Sequence, residues 1–192
     1  MKSVGRLVAL FHHRWAVPVL VQLHREGGCK FVTIAGRLGM NRDSLRRTLD
    51  ALIAEGWVLR NPGYGHPMRP EYVLTRDGAR LAPWCDRFLE RLRALGSEDA
   101  ARRKWPMAVI LALLQGHERF SEVMTFLPGV TARALATALK TLEVGGLVTR
   151  VVIDGYPPVP RYRLTERGLA LAPMLGQAPC LDGGSPDGLA LE

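Results

Sequence analysis

The strongest constraint on this chain is that it writes one passage twice. Residues 56–83 read GWVLRNPGYGHPMRPEYVLTRDGARLAP, and residues 146–173 read GLVTRVVIDGYPPVPRYRLTERGLALAP. At a constant offset of 90, Gly56/Gly146, Val58/Val148, Arg60/Arg150, Tyr72/Tyr162, Leu74/Leu164, Thr75/Thr165, Gly78/Gly168 and Pro83/Pro173 are identical. The register extends upstream through Leu45/Leu135, Leu49/Leu139 and Leu52/Leu142 to Trp15/Trp105, Val19/Val109 and Leu23/Leu113. An internal repeat of this length is a structural unit used twice. The chain is therefore read as a tandem duplication. Its expected division is residues 1–95, a first and more basic domain; 96–175, a second; and 176–192, a flexible Gly/Pro-rich tail. Each domain, at roughly 80–90 residues, is long enough for one small core.

Charge narrows the class of partner. The 192 residues carry net charge +8, with pI about 10.0, a balance that favours nucleic acid or another anionic surface. The charge is unevenly shared: residues 1–95 hold 16 Lys and Arg against 8 Asp and Glu, and residues 96–175 hold 10 against 7. Three cysteines, Cys29, Cys85 and Cys180, are odd in number and without motif spacing, so no disulfide framework is implied. No run reaches membrane-spanning length, and residues 1–13 do not read as a signal sequence. The expectation is a cytoplasmic protein with no membrane partner.

Each copy has the same order of elements. Val4, Leu7, Val8 and Phe11 fall at helical spacing. A second helix carries Trp15, Val19, Leu20 and Leu23 inward, with Pro18 in its first turn, and a short helix follows over 32–38. Asn41 is the expected N-cap of a helix over 42–55, which Gly56 ends. Alternation around Tyr72 and Leu74 predicts the second strand of a hairpin. Thr75 caps a helix through Trp84, Phe88, Leu92 and Leu95, and Ser97 caps the first helix of the second copy. There the helices fall at 105–114, 120–126 and 132–144 behind the N-cap Thr131, then a hairpin at 147–164 and a helix at 166–175. The predicted fold class is mainly α with small β hairpins (α+β): two winged helix-turn-helix domains in tandem, forming a pseudo-two-fold dimer. In such a domain the third helix enters a major groove and the hairpin is the wing over the adjacent backbone.

The second copy resembles a known family. Lys104-Trp105, Arg119-Phe120-Ser121-Glu122, Leu127-Pro128-Gly129-Val130-Thr131, Gly146-Leu147-Val148 and the run from Tyr156 to Thr165 look like the HxlR-type regulators. The first copy matches more loosely, through Trp15, Phe31, Gly56 and Arg69 to Thr75. The resemblance implies a bacterial transcription factor that binds operators as a homodimer joined through its terminal helices. Such proteins usually carry one winged helix per chain, whereas this chain carries two. It also lacks the cysteine that some members place just before the first core helix, so a redox-sensor role has no support.

The candidate DNA-binding residues follow from the pattern. In the first copy Asn41, Arg42, Asp43, Arg46 and Arg47 lie away from the Leu45/Leu49 face, and arginine suits both phosphates and guanine edges. A solvated charged face is the alternative reading of the same residues. The equivalent face of the second copy, Thr131, Arg133, Thr137 and Lys140, is blander. It suits close approach to thymine methyls, or a helix that no longer reads DNA. Wing candidates are Arg60, His66 and Arg69, then Arg150, Arg161 and Arg163, with Asp154 at the second tip expected to repel phosphate. Tyr72 and Tyr162 are expected to face inward, and Cys85 to be buried. His12, His13, His24, Cys29 and Cys85 lack metal-ligand spacing, and no nucleophile with a base, P-loop or dinucleotide fingerprint is present. The reading is a non-enzyme without cofactor or metal, acting on double-stranded DNA as a monomeric pseudo-dimer or a homodimer. The alternative is a protein-interaction or ligand-sensing regulator whose second domain no longer reads DNA. A small-molecule effector or another transcription factor fits as a further partner in either case.

Overall fold

The computed structural model describes residues 2–61, 71–153 and 158–179. The fold gathers into two compact units. Among the described residues, one is built from residues 15–61 and 71–88, and the other joins residues 2–14 to residues 89–153 and 158–179. The first helix, α1 (Lys2–Leu10), thus belongs with the second copy, where it packs against α7 (Pro106–Leu114). The division expected from sequence puts it with the first. Chain order misleads here because Leu7, Leu10 and Phe11, all buried, cover an apolar surface that α7 supplies about a hundred residues later.

In the unit of residues 15–88, α2 (Ala16–Glu26) is followed by β1 (Cys29–Lys30), α3 (Phe31–Leu38), α4 (Arg42–Ala54), β2 (Val58–Asn61), β3 (Glu71–Leu74) and the start of α5 (Arg76–Ala94). The three strands form an antiparallel sheet in the order β1-β3-β2, with Cys29 opposite Tyr72 and Arg60 opposite Tyr72 on the other side. A strand of two residues is too short for a period-2 signal, so β1 is not legible in the sequence. Leu20, Leu23, Ile34, Leu45, Leu49, Leu52, Trp57 and Phe88 fill the core. Trp84 stacks on Phe88 at 4.7 Å, and Cys85 between them in sequence is fully buried, as expected.

The other unit follows the same plan with α6 (Glu98–Ala101), α7, α8 (Phe120–Phe126), α9 (Ala132–Val144), β4 (Val148–Ile153), β5 (Val159–Leu164), α10 (Glu166–Leu169) and α11 (Ala172–Gly176). Every residue of α7 from Pro106 to Leu113 is buried. A helix apolar on all sides sits at the centre of its unit, and α7 packs on α1, α6, α8, α9, α11 and β5. Here the counterpart of β1 is a single bridge between Arg119 and Arg161.

The duplication has a physical cause at its most repeated residues. Thr75 donates from Oγ1 to the Gly56 carbonyl at 2.7 Å and accepts from the Gly78 N–H at 3.0 Å. Thr165 does the same with Gly146 at 2.7 Å and Gly168 at 3.2 Å. A Cβ on Gly78 would stand 2.0 Å from the Trp57 carbonyl oxygen, and one on Gly168 2.1 Å from that of Leu147. Those same carbonyls accept the N–H of Thr75 and of Thr165, each at 3.1 Å. The wing is thereby pinned to the helix that follows it, and only glycine leaves room for the pin. Both turns enter the wing through a glycine at positive φ, Gly56 at 73° and Gly146 at 66°, a conformation that costs other residues.

Three sequence expectations are corrected. Ser97 precedes α6 but its side chain caps nothing; the buried hydroxyl turns to the carbonyls of Leu95 (3.1 Å) and Gly145 (3.4 Å). The helix expected over 166–175 is two helices, with Pro173 in the first turn of α11. Proline cannot donate its N–H and favours a helix start. In the first copy Pro83 lies inside the 19-residue α5 instead, where Trp84, Phe88 and Leu92 continue the buried stripe. The tail does not begin at 176, since Leu175 and Ala178 are fully buried; residues 180–192, with Cys180, lie outside the described residues. No helix among the described residues is long and apolar enough to cross a membrane.

Candidate nucleic-acid interface

The two third helices, α4 and α9, are built alike from their caps onward. Asn41 accepts the Ser44 N–H through Oδ1 at 2.8 Å, and Thr131 accepts the Ala134 N–H through Oγ1 at 3.2 Å. Each cap satisfies a backbone donor that the helix itself cannot. Residues 41–50 and 131–140 then show the same sequence of buried and exposed positions. Leu45, Leu49 and Leu52, like Leu135, Leu139 and Leu142, face the core.

That burial leaves a defined outer face. On α4 it carries Arg42, Asp43, Arg46 and Arg47, all exposed. Their spacing of four residues and one places them on adjacent turns. Arg47 reaches back to the Asp43 carbonyl at 3.4 Å, a weak contact that leaves the guanidinium in solvent. Asp43, in the first helical turn, sits where the helix dipole favours an acid. On α9 the outer face presents Thr131, Arg133, Thr137 and Lys140, also exposed. Thr137 donates to the Arg133 carbonyl at 2.8 Å, so its hydroxyl proton is already used.

The hairpins divide the wing candidates. Arg60 on β2 and Arg150 on β4 are exposed, at equivalent positions opposite Tyr72 and Tyr162. Tyr72 is buried, whereas Tyr162 is half-buried. Arg161 and Arg163 are held by one carboxylate. Arg161 Nη1 donates to Glu118 Oε2 at 3.1 Å and Arg163 Nε to Glu118 Oε1 at 3.2 Å. Both guanidinium groups, Arg161 first, hold the Glu118 carboxyl below its ordinary range. Glu118 is fixed in turn by its carbonyl, which accepts the Tyr162 N–H at 2.8 Å. His66, Arg69 and Asp154 lie outside the described residues.

A groove opens beside α9 in the same unit, with a volume of about 360 Å³. Its walls include Arg103, Lys104 and Trp105 before α7, and Thr131, Arg133 and Thr137 on α9. Lys104 Nζ lies 4.9 Å from the Trp105 ring centroid, within cation–π range. Sequence reasoning misses Arg103 and Lys104 as functional groups. Their only signal is the basic run Arg102-Arg103-Lys104, since nothing local says that it meets a helix about thirty residues on.

The remaining titratable groups bear on the site less. Cys29 is buried, and burial pushes its thiol up, away from the reactive thiolate. Among the described residues no cluster of His, Cys, Asp and Glu is arranged to hold a metal ion.

Comparison with known proteins places both units among helix-turn-helix proteins. A family described as HxlR-like helix-turn-helix matches residues 100–179, and the MarR family matches residues 16–63. The uncharacterized HTH-type transcriptional regulator YvaP of Bacillus subtilis is 42% identical over 79 residues, covering 41% of this chain and 73% of that protein. YkvN of the same organism, another uncharacterized HTH-type transcriptional regulator, is 38% identical over 81 residues, covering 42% and 68%. Among solved structures, the reduced form of the transcriptional regulator YodB from B. subtilis shares 32% identity, covering 41% of this chain and 78% of that one with a TM-score of 0.38. With YvaP and YkvN each matched over more than two thirds of their length and the family model matched over residues 100–179, the chain belongs to the HxlR-like helix-turn-helix family.

Proposed function

We propose that this chain is a transcriptional regulator that binds double-stranded DNA, with α4 and α9 as two recognition helices of one chain reading adjacent major grooves. The observation that carries the reading is the outer face of α4. Three arginines stand exposed there in six residues, on a helix whose opposite side is locked into a winged-helix core. Arginine can pair with guanine O6 and N7 through two hydrogen bonds, and the remaining charges neutralise phosphate. The relatives YvaP and YkvN, named as HTH-type transcriptional regulators, agree with this class of function. Two winged helices in one chain supply what a symmetric operator asks of a dimer, hence a pseudo-dimer.

The test is a titration of labelled duplex DNA at several salt concentrations. Each neutralised phosphate releases counterion, so affinity should fall steeply between about 50 and 200 mM salt. No binding at low salt removes the reading. Light scattering on a complex with a short operator then counts chains. If both helices read, one chain spans two half-sites about 34–36 Å apart. Two chains per operator would reduce each protein to a single reading head.

A second reading draws on the Glu118 clamp. With Arg161 and Arg163 neutralised, and one arginine on α9 against three on α4, the second copy could serve an interaction or ligand-sensing role while the first binds DNA. Footprints limited to one half-site would select it.

A further inference from the structure

We propose that the groove formed by Arg103, Lys104 and Arg133 is a phosphate site, through which the second copy grips a backbone phosphate of duplex DNA beside α9. This rests on the DNA-binding reading and extends it to residues outside the helix-turn-helix pattern.

Three observations converge on the groove. Its charge is of one sign: it is lined by two arginines and a lysine and by no acid. Among the described residues neither Arg103 nor Arg133 has a carboxylate partner. Two helix N-terminal ends also meet there. Trp105 and Pro106 begin α7, and Thr131 caps α9, and the field at such ends favours an anion. Finally, a neutral donor is in place. Thr131 accepts the Ala134 N–H, so its hydroxyl proton remains available to a phosphate oxygen. Thr137, whose proton is committed to the Arg133 carbonyl, serves only as wall. The uncompensated charge is felt nearby: after burial, Lys104 is the next cause of the lowered proton affinity of His12.

The repeat supplies a control inside the same chain. At the offset of 90, Arg133 corresponds to Asp43, Arg103 to His13, Lys104 to Arg14 and Thr131 to Asn41. The first copy replaces the groove's central arginine with an acid. A phosphate site at this position therefore belongs to the second copy alone. It makes up for the sparse charge of α9: the cations missing from the helix come from the segment before α7. A backbone phosphate is the favoured source because Arg133 and Thr131 belong at once to the groove and to the outer face of α9. A phosphate that lies against them runs along the strand the helix faces.

The experiment compares the full chain with Arg103→Gln/Lys104→Gln and with Arg133→Gln, on a random-sequence duplex and separately with inorganic phosphate. These positions are exposed or half-exposed, and circular dichroism checks folding. Lys104→Arg, which keeps the charge, should retain binding. The expected result in both variants is a DNA salt slope shallower by about 1 for each phosphate no longer neutralised, with Lys104→Arg near wild type. An unchanged slope beside a wild type that binds DNA overturns the groove and leaves the DNA reading standing. A wild type that fails to bind DNA overturns both. Inorganic phosphate held by the wild type and not by the variants, with the DNA slope unchanged, makes the groove a small-anion site and overturns the assignment to DNA.

Discussion

Arg161 donates to Glu118 at 3.1 Å, across the edge where the first copy has a true β-strand pair and the second has a single bridge. The ion pair replaces part of a missing strand. Glu118 also holds Arg163, so one carboxylate draws two wing cations toward the sheet. This geometry sets a stability term and a binding term with opposite signs.

The stability term is acid-sensitive. The Glu118 carboxyl titrates below its ordinary range, mainly because Arg161 donates to the charged form. A depressed folded value adds stability that is fully present above the ordinary glutamate range and is lost as pH falls through the lowered one. The pair is partly exposed, so the gain is modest, about 0.2–1 kcal/mol. Glu118→Gln should lose that amount in denaturant unfolding at pH 7 and nothing once the wild-type carboxyl is protonated in strong acid. The binding term runs the other way. Freed guanidinium groups should steepen the DNA salt slope by about 1 or more. A variant that binds DNA no better than wild type means that Arg161 and Arg163 do not reach the backbone even when released.

Gly78 and Gly168 test the pin between wing and helix. Alanine at either would place Cβ about 2 Å from a carbonyl oxygen that is itself fixed by the Thr75 or Thr165 N–H. Overpacking against backbone costs about 1–3 kcal/mol and occasionally more. Gly78→Ala and Gly168→Ala should each lower the unfolding midpoint of the unit they occupy. Thr75→Val and Thr165→Val, which lose a cap, should cost about 0.5–2 kcal/mol. Unfolding followed by Trp57 emission and by a probe in the other unit separates the two. Alanine tolerated at both glycines would contradict the geometry.

His12 reports on the groove without DNA. Burial lowers its proton affinity most, and then Lys104 and His13. Because the folded value is depressed, the unfolded chain binds more protons, so stability should rise as pH climbs toward the ordinary histidine range. Removing the lysine charge with Lys104→Gln should raise the His12 value part of the way back. Proton NMR titration of the imidazole reads this directly. An unmoved value would mean that the Lys104 charge does not act on the His12 ring.

Much of this fold is legible in the sequence because the repeat doubles each weak signal. Gly56, Thr75 and Gly78 alone suggest a turn and a cap; their recurrence at 146, 165 and 168 marks them as parts of one device. The caps Asn41 and Thr131 and the leucine faces are readable from local spacing, since helix periodicity is written within a few turns. The rest needs contacts distant in sequence. Nothing near Val4–Phe11 says that α1 covers α7. Nothing near Glu118 says that it will meet Arg161 and Arg163, and the charge before Trp105 is silent about α9. In each of these cases the partner lies well beyond the reach of any local pattern.

If α4 and α9 read DNA as proposed, they should differ in what their loss does to binding. Arg47 stands exposed on α4 with only a weak backbone contact, free to meet a base edge. Arg133 lines the groove, where the chemistry suits phosphate. Arg47→Ala should cost about 1–3 kcal/mol on the preferred operator if it pairs with a guanine, and much less on an unrelated duplex. Arg133→Ala should cost less on the operator and weaken both duplexes alike, with a salt slope smaller by about 1. Neither residue touches its helix's leucine face, so both variants should keep the wild-type circular dichroism spectrum. Paired titrations on the operator and on a scrambled sequence at two salt concentrations decide the matter. If Arg133→Ala erased discrimination between the two duplexes and Arg47→Ala did not, α9 would be the principal reader of sequence. The greater basic charge of the first copy would then serve the backbone.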